Sequence, residues 1–387
     1  MGNYLFSNPS FKLGILGGGQ LGKMLLQVCN SWDIHTEVLD PYKEPPARFL
    51  CQKYHQGDYT DYQTVKKFGQ NLDLITIEIE NVNTDALNSL QNQGKLISPN
   101  PATVATIQDK GNQKSFFFRN NLPTAPCRFF TNAHEIHISI QKQQINFPFV
   151  QKLRTGGYDG YGVQVIHNQG NLNKLFDAPS IVEPLVSIQK ELSVIIARSR
   201  SGEIKVFPMV EMVFHPTANL VEYLLCPAHV SDSVVKDAND IAHTLVESLS
   251  FVGLLAVEFF LTDNNELLIN EIAPRPHNSG HHTIESCVTS QYEQLLRAIL
   301  GFPLGSTKLR TPAVMLNILG EDGHDGNVKY LGIPECLNIE GVKIHVYGKK
   351  HIRPFRKMGH VTIVDENLEH AIQKAEQVKQ LLKAVSA

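Results

Sequence analysis

The sequence predicts an α/β fold over its first hundred residues and an α+β fold beyond them. A parallel sheet wrapped by helices leads into a central region of paired strands, and a smaller strand-rich region ends the chain. Three observations predict this. Strand and helix patterns alternate between Leu13 and Pro99, which implies a parallel sheet wrapped by helices. After Pro101 the texture changes to strands joined through short or glycine-rich turns, as hairpins require. Beyond Gly301-Phe302-Pro303, three more strand patterns precede one last helix.

Taken in order, residues 13–16 read as a strand, followed by Gly17-Gly18-Gly19-Gln20-Leu21-Gly22 and a helix to about residue 30. Residues 36–39 form the next strand, closing on Asp40, and residues 72–79 a later strand of the same sheet. Leu96-Ile97-Ser98-Pro99 ends the unit. Residues 102–120 are helical in composition, and Pro123 with Pro126 marks a boundary. Residues 149–152 are a short strand whose hairpin partner is 163–166, across the glycine-rich turn 156–162. Residues 181–186 are extended, and 191–197 and 204–212 are strands separated by Ser201-Gly202. Residues 231–249 are a helix: Val234, Val235, Ala238, Ile241, Ala242, Leu245, Val246 and Leu249 share one face, with Ser231 at the N-cap. Two strands bearing Glu258 and Glu271 follow, joined at Thr262-Asp263-Asn264-Asn265. Strands at 313–318, 343–347 and 359–364 and a helix at 368–385 complete the chain. The boundaries near Pro101 and Gly301 divide the chain into residues 1–102, 103–302 and 303–387.

The 387 residues, 42% hydrophobic and 8% aromatic, suffice for two or three cored domains. A net charge of −3 gives no electrostatic case for a nucleic-acid or membrane-surface partner. The six cysteines form no CxxC pair, which argues against a disulfide framework or a zinc site. No stretch is apolar enough to span a membrane, and the first residues lack the pattern of a secretion signal. A cytoplasmic enzyme is the expectation.

Glu258 and Glu271 carry the chemistry. Each lies within an apolar run, so each carboxylate is expected to be buried and in need of a cation. Two carboxylates on neighbouring strands, with the Asn270 amide, suit a Mg²⁺ ion that bridges phosphates. The plainer reading places them on an exposed sheet face, against which stand the apolar neighbours Val257, Phe259 and Phe260. Lys152 precedes the glycine-rich turn, an arrangement suited to phosphate oxygens under a flexible backbone cover; a solvated hairpin lysine is the alternative. Glu183 and Glu191 bracket Pro184-Leu185-Val186, where an extended edge can read an adenine and an acid can accept from a ribose, or where two surface acids simply stand. Arg275, His277 and Asn278 follow the second glutamate strand. Lys349, Arg356 and Lys357 form a later cationic cluster that suits a phosphate monoester or is a solvated charge run. Gly17-x-Gly19-x-x-Gly22 with Asp40 leaves three readings open: a dinucleotide fingerprint, a tight structural turn, or a seat for a polar substrate group.

These residues resemble a known family. Lys152 with Gly156-Gly157-Tyr158-Asp159-Gly160, Lys190-Glu191-Leu192-Ser193-Val194, Val257-Glu258-Phe259-Phe260 and the run from Asn270 to His281 resemble the ATP-grasp superfamily. Within it they are similar to the N5-carboxyaminoimidazole ribonucleotide synthetase family, the ATP-dependent part of phosphoribosylaminoimidazole carboxylase. Gly17 to Met24 and Arg356-Lys357-Met358-Gly359-His360 match the same family. The resemblance implies a Rossmann-like N-terminal domain, a central ATP-grasp domain with a lid subdomain at about 122–190, a small β-rich C-terminal domain, and a carbon–nitrogen ligase. That enzyme joins 5-aminoimidazole ribonucleotide and bicarbonate with ATP, through carboxyphosphate, to give N5-carboxyaminoimidazole ribonucleotide, ADP and phosphate in de novo purine synthesis. It further implies Mg²⁺, a homodimer, and no nucleic-acid or membrane partner.

By that resemblance Lys110 and Lys152 contact ATP phosphates, and Gly157, Tyr158, Asp159, Gly160, Tyr161, Gly162 and Val163 form the lid loop. Glu183, Pro184, Leu185 and Val186 are the adenine hinge, Glu191 accepts from ribose, and Glu258, Asn270 and Glu271 hold the metal, with Asn270 and Glu271 also at the nucleotide. Gln20, Glu78, Tyr158, Asp159, Arg275, His277, Asn278, Lys349, Arg356 and Lys357 line the substrate pocket. Lys152, Tyr158, Asp159, Arg275 and His277 are the implied catalytic set, with Asp159 or His277 handling the proton of the substrate amine. The chain departs from the family pattern at Tyr161, where a basic residue is usual, at Phe355, where glycine is, and at Lys110, where arginine is common. Competing readings are a related ligase with another acceptor, a nicotinamide oxidoreductase built on Gly17 to Asp40, and a catalytically silent regulator.

Overall fold

The computed structural model describes residues 8, 10–157, 161–214 and 220–387. The first unit comprises β1 (Lys12–Leu16), α1 (Gln20–Ser31), β2 (His35–Asp40), β3 (Lys53–Gln56), α2 (Tyr62–Gly69), β4 (Leu74–Ile77), α3 (Thr84–Asn92) and β5 (Leu96–Ile97). Its five strands run parallel in the order β3-β2-β1-β4-β5. Helices cover both faces, so β1 is buried through Leu13, Ile15 and Leu16, as the apolar run predicts. β3 is an edge strand with a polar, part-exposed sequence, and carries no alternation by which to read it.

The helix predicted over 102–120 is two helices, α4 (Pro101–Gln108) and α5 (Lys110–Arg119). The break is Asp109, whose extended backbone starts α5 anew and whose carboxylate accepts from the Gly111 and Asn112 N–H groups. The same carboxylate accepts from Arg154 Nε and Nη2 at 2.9 and 2.8 Å. Lys110 therefore opens a helix and does not sit within one.

Four strands form a lid sheet: β6 (Arg128–Phe130), β7 (Phe149–Leu153), β8 (Val163–Ile166) and β9 (Ser180–Pro184), in the order β6-β9-β7-β8, with α6 (Ala133–Gln141) packed on it. The predicted hairpin is present, with Lys152 opposite Val163. The chain then builds a nine-stranded sheet from β10 (Ile188–Arg198), β11 (Ile204–Val206), β12 (Val210–Phe214), β13 (Val221–Cys226), β14 (Gly253–Thr262) and β15 (Leu267–Ala273), continued by β16 (Ala313–Leu319) and two later strands. The strand predicted over 204–212 is thus two, parted where Pro208 has no N–H for a ladder. α7 (Asp232–Ser248) packs on β10 and β15; Ser231 holds its N-cap position, but its hydroxyl bonds Ser233 Oγ and no backbone N–H.

After α8 (Thr283–Ser286) and α9 (Gln291–Leu300) come β17 (Gly326–Leu331), α10 (Ile333–Leu337), β18 (Val342–Val346), β19 (His351–Ile352), β20 (Lys357–Val364), α11 (Leu368–Leu381) and β21 (Lys383–Ser386). The final helix ends short of 385 because Lys383–Ser386 pairs with β17, so tertiary pairing overrides helical composition. The central ladder runs β15-β14-β10-β12-β13-β16-β20-β18, straight across the predicted boundary near 302. The first unit is not isolated either: Leu21, Met24 and Leu25 of α1 share one core with Ile195, Leu254 and the α9 residues Leu295, Leu296 and Ile299.

Asp109→Ala removes a helix cap and the partner of Arg154, and is expected to lower stability by about 1–3 kcal/mol. A fall of the thermal unfolding midpoint, with Asp109→Asn intermediate, checks it.

Candidate active site

β14 and β15 place Glu258 directly opposite Glu271. The register slips just beyond: Phe259 faces Ile269, so Asn270 is an extra residue, a β-bulge. A regular strand would send Asn270 and Glu271 to opposite faces. With the bulge, both meet cations in one cleft: Lys152 Nζ donates to Asn270 Oδ1 at 3.0 Å, and Lys110 Nζ pairs with Glu271 Oε2. The glutamates differ in exposure, correcting the expectation that both are buried: the Glu258 side chain is 15% exposed and that of Glu271 42%. Burial and the Glu271 and Glu191 carboxylates push the Glu258 carboxyl upward, whereas Lys110 chiefly holds Glu271 down. Glu191, facing Phe260 across the ladder, is pushed by burial to about 7. This crowding of carboxylates is what a hard divalent cation relieves, and Glu258, Glu271 and the Asn270 oxygen form a fitting donor set. Among the described residues no three acidic, histidine or cysteine side chains converge on a metal-sized point, so at this edge the Asn270 oxygen would have to supply the third donor.

Glu183 turns inward from the lid sheet. Its oxygens lie 2.8 Å from Lys152 Nζ and 2.5 Å from Lys114 Nζ. Any adenine reading at the predicted hinge therefore falls to the backbone of Glu183, Pro184, Leu185 and Val186 and not to this carboxylate. The Leu185 N–H donates to Pro148 O at 3.3 Å.

The loop after β15 packs against the first unit. Arg275 Nε and Nη2 both donate to Glu80, the latter at 3.0 Å, and Gln108 fixes that segment by donating to the Glu80 and Val82 carbonyls at 2.7 Å. Glu80 escaped the sequence reading. Its only signal was its place two residues beyond Glu78 at the end of β4. His277 Nδ1 accepts from the Ser279 N–H, which puts the ring proton on Nε2, 3.4 Å from Glu258 Oε1. Burial and the nearby Arg275 and Lys357 charges hold His277 at about 3, so its ring is neutral and presents a donor to the cleft. Asn278 exchanges two amide hydrogen bonds with Asn317 of β16, at 2.9 and 3.0 Å.

At the glycine turn, the Gly19 and Gly22 N–H groups donate to the Glu78 carboxylate at 2.8 and 2.9 Å, and Gly18 N–H to Asp40 at 2.7 Å. A pyrophosphate would need those same amides, and a ribose that same aspartate. The dinucleotide reading fails on this ground. Gly17 holds φ +95°, and a Cβ there would stand 2.6 Å from Glu78 Cγ, so a close turn accounts for the glycine. Gln20 begins α1 beside this turn. Lys23, farther along α1, donates to the Val346 and Tyr347 carbonyls at 2.8 and 3.1 Å, tying the first unit to the strand end before Lys349.

Lys349 Nζ donates to Lys357 O at 2.7 Å, and the Lys357 charge reaches Glu258 and His277. Arg356 instead donates to His351 O at 2.6 Å, toward the β17–β19 side. Phe355, where the family pattern has glycine, has φ +60°, a left-handed conformation that favours glycine. Tyr158, Asp159 and Gly160 lie outside the described residues. Of the lid residues beside them, Tyr161 is 72% exposed.

Family models match three stretches: the ribonucleotide synthetase preATP-grasp domain over residues 11–108, the ATP-grasp domain over 115–292, and the phosphoribosylaminoimidazole carboxylase C-terminal domain over 313–374. N5-carboxyaminoimidazole ribonucleotide synthase of Bacillus subtilis is 37% identical over 371 residues, spanning 95% of this chain and 94% of that protein. The crystal structure of N5-carboxyaminoimidazole ribonucleotide synthetase from Thermotoga maritima superposes with a TM-score of 0.89 at 40% identity, covering 97% of this chain and 100% of that one. The synthase from Aspergillus clavatus, in complex with ADP and 5-aminoimidazole ribonucleotide, gives 0.87 at 30% identity, covering 96% and 98%.

Three further imidazoles, His281, His282 and His360, are buried. Burial alone holds His282 at about 3, and His281 and His360 also lie well below the usual value. Groups depressed in the folded state contribute stability that is full above pH 6.5 and lost as pH falls toward 3. At pH 5 a buried histidine such as His282 is expected to have withdrawn about 2 kcal/mol. Thermal midpoints measured from pH 7 to 4 should fall steadily, and less steeply in His282→Asn.

Proposed function

Since the chain belongs to the N5-carboxyaminoimidazole ribonucleotide synthase family of ATP-grasp ligases, we propose that its cleft carboxylates 5-aminoimidazole ribonucleotide with bicarbonate and ATP, yielding N5-carboxyaminoimidazole ribonucleotide, ADP and phosphate in purine synthesis. The observation that carries this reading is the bulged Glu258/Asn270/Glu271 edge with Lys110 and Lys152 on one side and Arg275 and His277 on the other.

ATP lies with its adenine against the 183–186 backbone, its ribose toward Glu191, and its phosphates toward Lys152 and Lys110. Lys110, paired with Glu271 in this structure, would exchange that partner for a phosphate oxygen. Glu258, Glu271 and Asn270 would hold Mg²⁺, which would neutralise phosphate charge. A bicarbonate oxygen attacks the γ-phosphorus, ADP leaves, and carboxyphosphate forms. Positioned positive charge is the main lever in such a transfer. Arg275, held by Glu80, and the His277 Nε2–H present donors to the bicarbonate oxygens. The exocyclic amine of the ribonucleotide then bonds the carboxyl carbon as phosphate departs. The neutral His277, protonated at Nε2, serves as donor and leaves Asp159 as the acceptor for the amine proton. Lys349 and Lys357 take the ribonucleotide phosphate, with Gln20 and Glu78 beside the opposite wall. The glycine loop 156–162 covers the reactive intermediate from water. The protein works as a homodimer in the cytoplasm.

Purified protein should release ADP at an appreciable rate only when both bicarbonate and the ribonucleotide are present; release indifferent to the ribonucleotide contradicts the acceptor assignment. Glu271→Gln is expected to lower ADP formation by at least ~100-fold, the scale on which removing one preorganised charge from a phosphoryl-transfer site acts. Its thermal midpoint should stay near that of the unaltered protein. Substantial activity in that variant at ordinary Mg²⁺ would contradict the metal assignment.

A further inference from the structure

Lys114 projects from α5 into the interior with 4% of its side chain exposed. Its ammonium lies 2.5 Å from Glu183 Oε1, 2.6 Å from Thr124 Oγ1 and 3.2 Å from Ala125 O. The other Glu183 oxygen lies 2.8 Å from Lys152 Nζ, which continues to Asn270 Oδ1 at 3.0 Å. A single carboxylate thus serves two lysines. Burial pushes the Glu183 carboxyl upward, but Lys152 and Lys114 outweigh it and hold it below the usual carboxylate range, so it is ionised.

The charge count has a functional reading. A buried Lys152–Glu183 pair alone would be neutral, and each charge would be most of the other's counter-ion. With Lys114 the cluster carries one surplus positive charge. Lys114 is enclosed by Thr124, Ala125 and Glu183, whereas Lys152 leads on to Asn270 and the cleft. We propose that Lys114 is a positioning residue for the nucleotide: by occupying one oxygen of Glu183, it leaves Lys152 with net positive charge to meet the phosphates. This rests on the ATP reading of the cleft given above.

Charge balance gives a test that a packing role would not satisfy. Lys114→Met removes the surplus charge, and adding Glu183→Gln restores it, since Lys152 is then the one ion left. ADP binding with Mg²⁺, measured by isothermal titration calorimetry, is expected to weaken at least ~10-fold in Lys114→Met and to return to within ~3-fold of the unaltered protein in the double variant. The bicarbonate KM should move less than the ATP KM in the same variants. ADP affinity within ~2-fold in Lys114→Met, or a double variant no tighter than the single one, overturns the proposal. If Lys114→Met fails to fold, the charge-balanced double variant decides: ADP binding more than ~10-fold weaker than in the unaltered protein overturns it. If the unaltered protein itself binds no ADP, the ATP reading falls and the proposal with it.

Discussion

One extra residue in one strand is the constraint on which the cleft depends. Asn270 interrupts the pairing of β15 with β14, and that slip lets it share a face with Glu271 opposite Glu258. Side chains from distant parts of the chain are built around this edge. The break at Asp109 turns Lys110 toward Glu271 from the start of α5; the hairpin brings Lys152 to Asn270 from the lid sheet; the loop after β15 folds His277 back to Glu258. A straight ladder would strand one of the two neighbouring side chains on the apolar side, against Ile269 and Ile272.

Carboxylates and cations alternate through the cleft, and each ion pair joins segments far apart in sequence. Lys110–Glu271 joins α5 to β15, Lys152–Glu183–Lys114 joins β7, β9 and α5, and Arg275–Glu80 joins the post-β15 loop to the first unit. Such pairs add little net stability when partly buried, because desolvation offsets attraction. Their value is in fixing where each charge stands before a substrate arrives, and orientation of that kind is what lowers barriers in phosphoryl transfer.

What was legible in the sequence followed from local pattern. The apolar runs around Glu258 and Glu271 marked them as paired strands, and the hairpin marked Lys152, because both patterns have short periods. The interruption at Asp109 was hidden because a capping aspartate inside a helical composition looks like one more helical residue. Lys114, Glu80 and Asn317 were invisible for a different reason: their partners are 69, 195 and 39 residues away, and nothing local distinguishes them from surface side chains. Glu78 illustrates the converse. The glycine motif was placed at a helix start with three readings left open, and the group its N–H donors hold is supplied by the chain itself.

The ladder that runs unbroken from β15 to β18 has a mechanical consequence. A hydrogen-bonded sheet resists shear between its strands, so the carboxylate edge at one end and the wall bearing Lys357 toward the other move as one beam. α1 and α9 bolt the first unit onto the same beam through a shared core, and Lys23 adds a strut to the end of β18. The four-stranded lid sheet has a separate strand ladder and a core of its own. It joins the beam through side chains, Lys152 to Asn270 and Glu183 to Lys114, and not through a ladder. A change in cleft volume can be taken up by β6–β9 without breaking any strand pairing in the two walls.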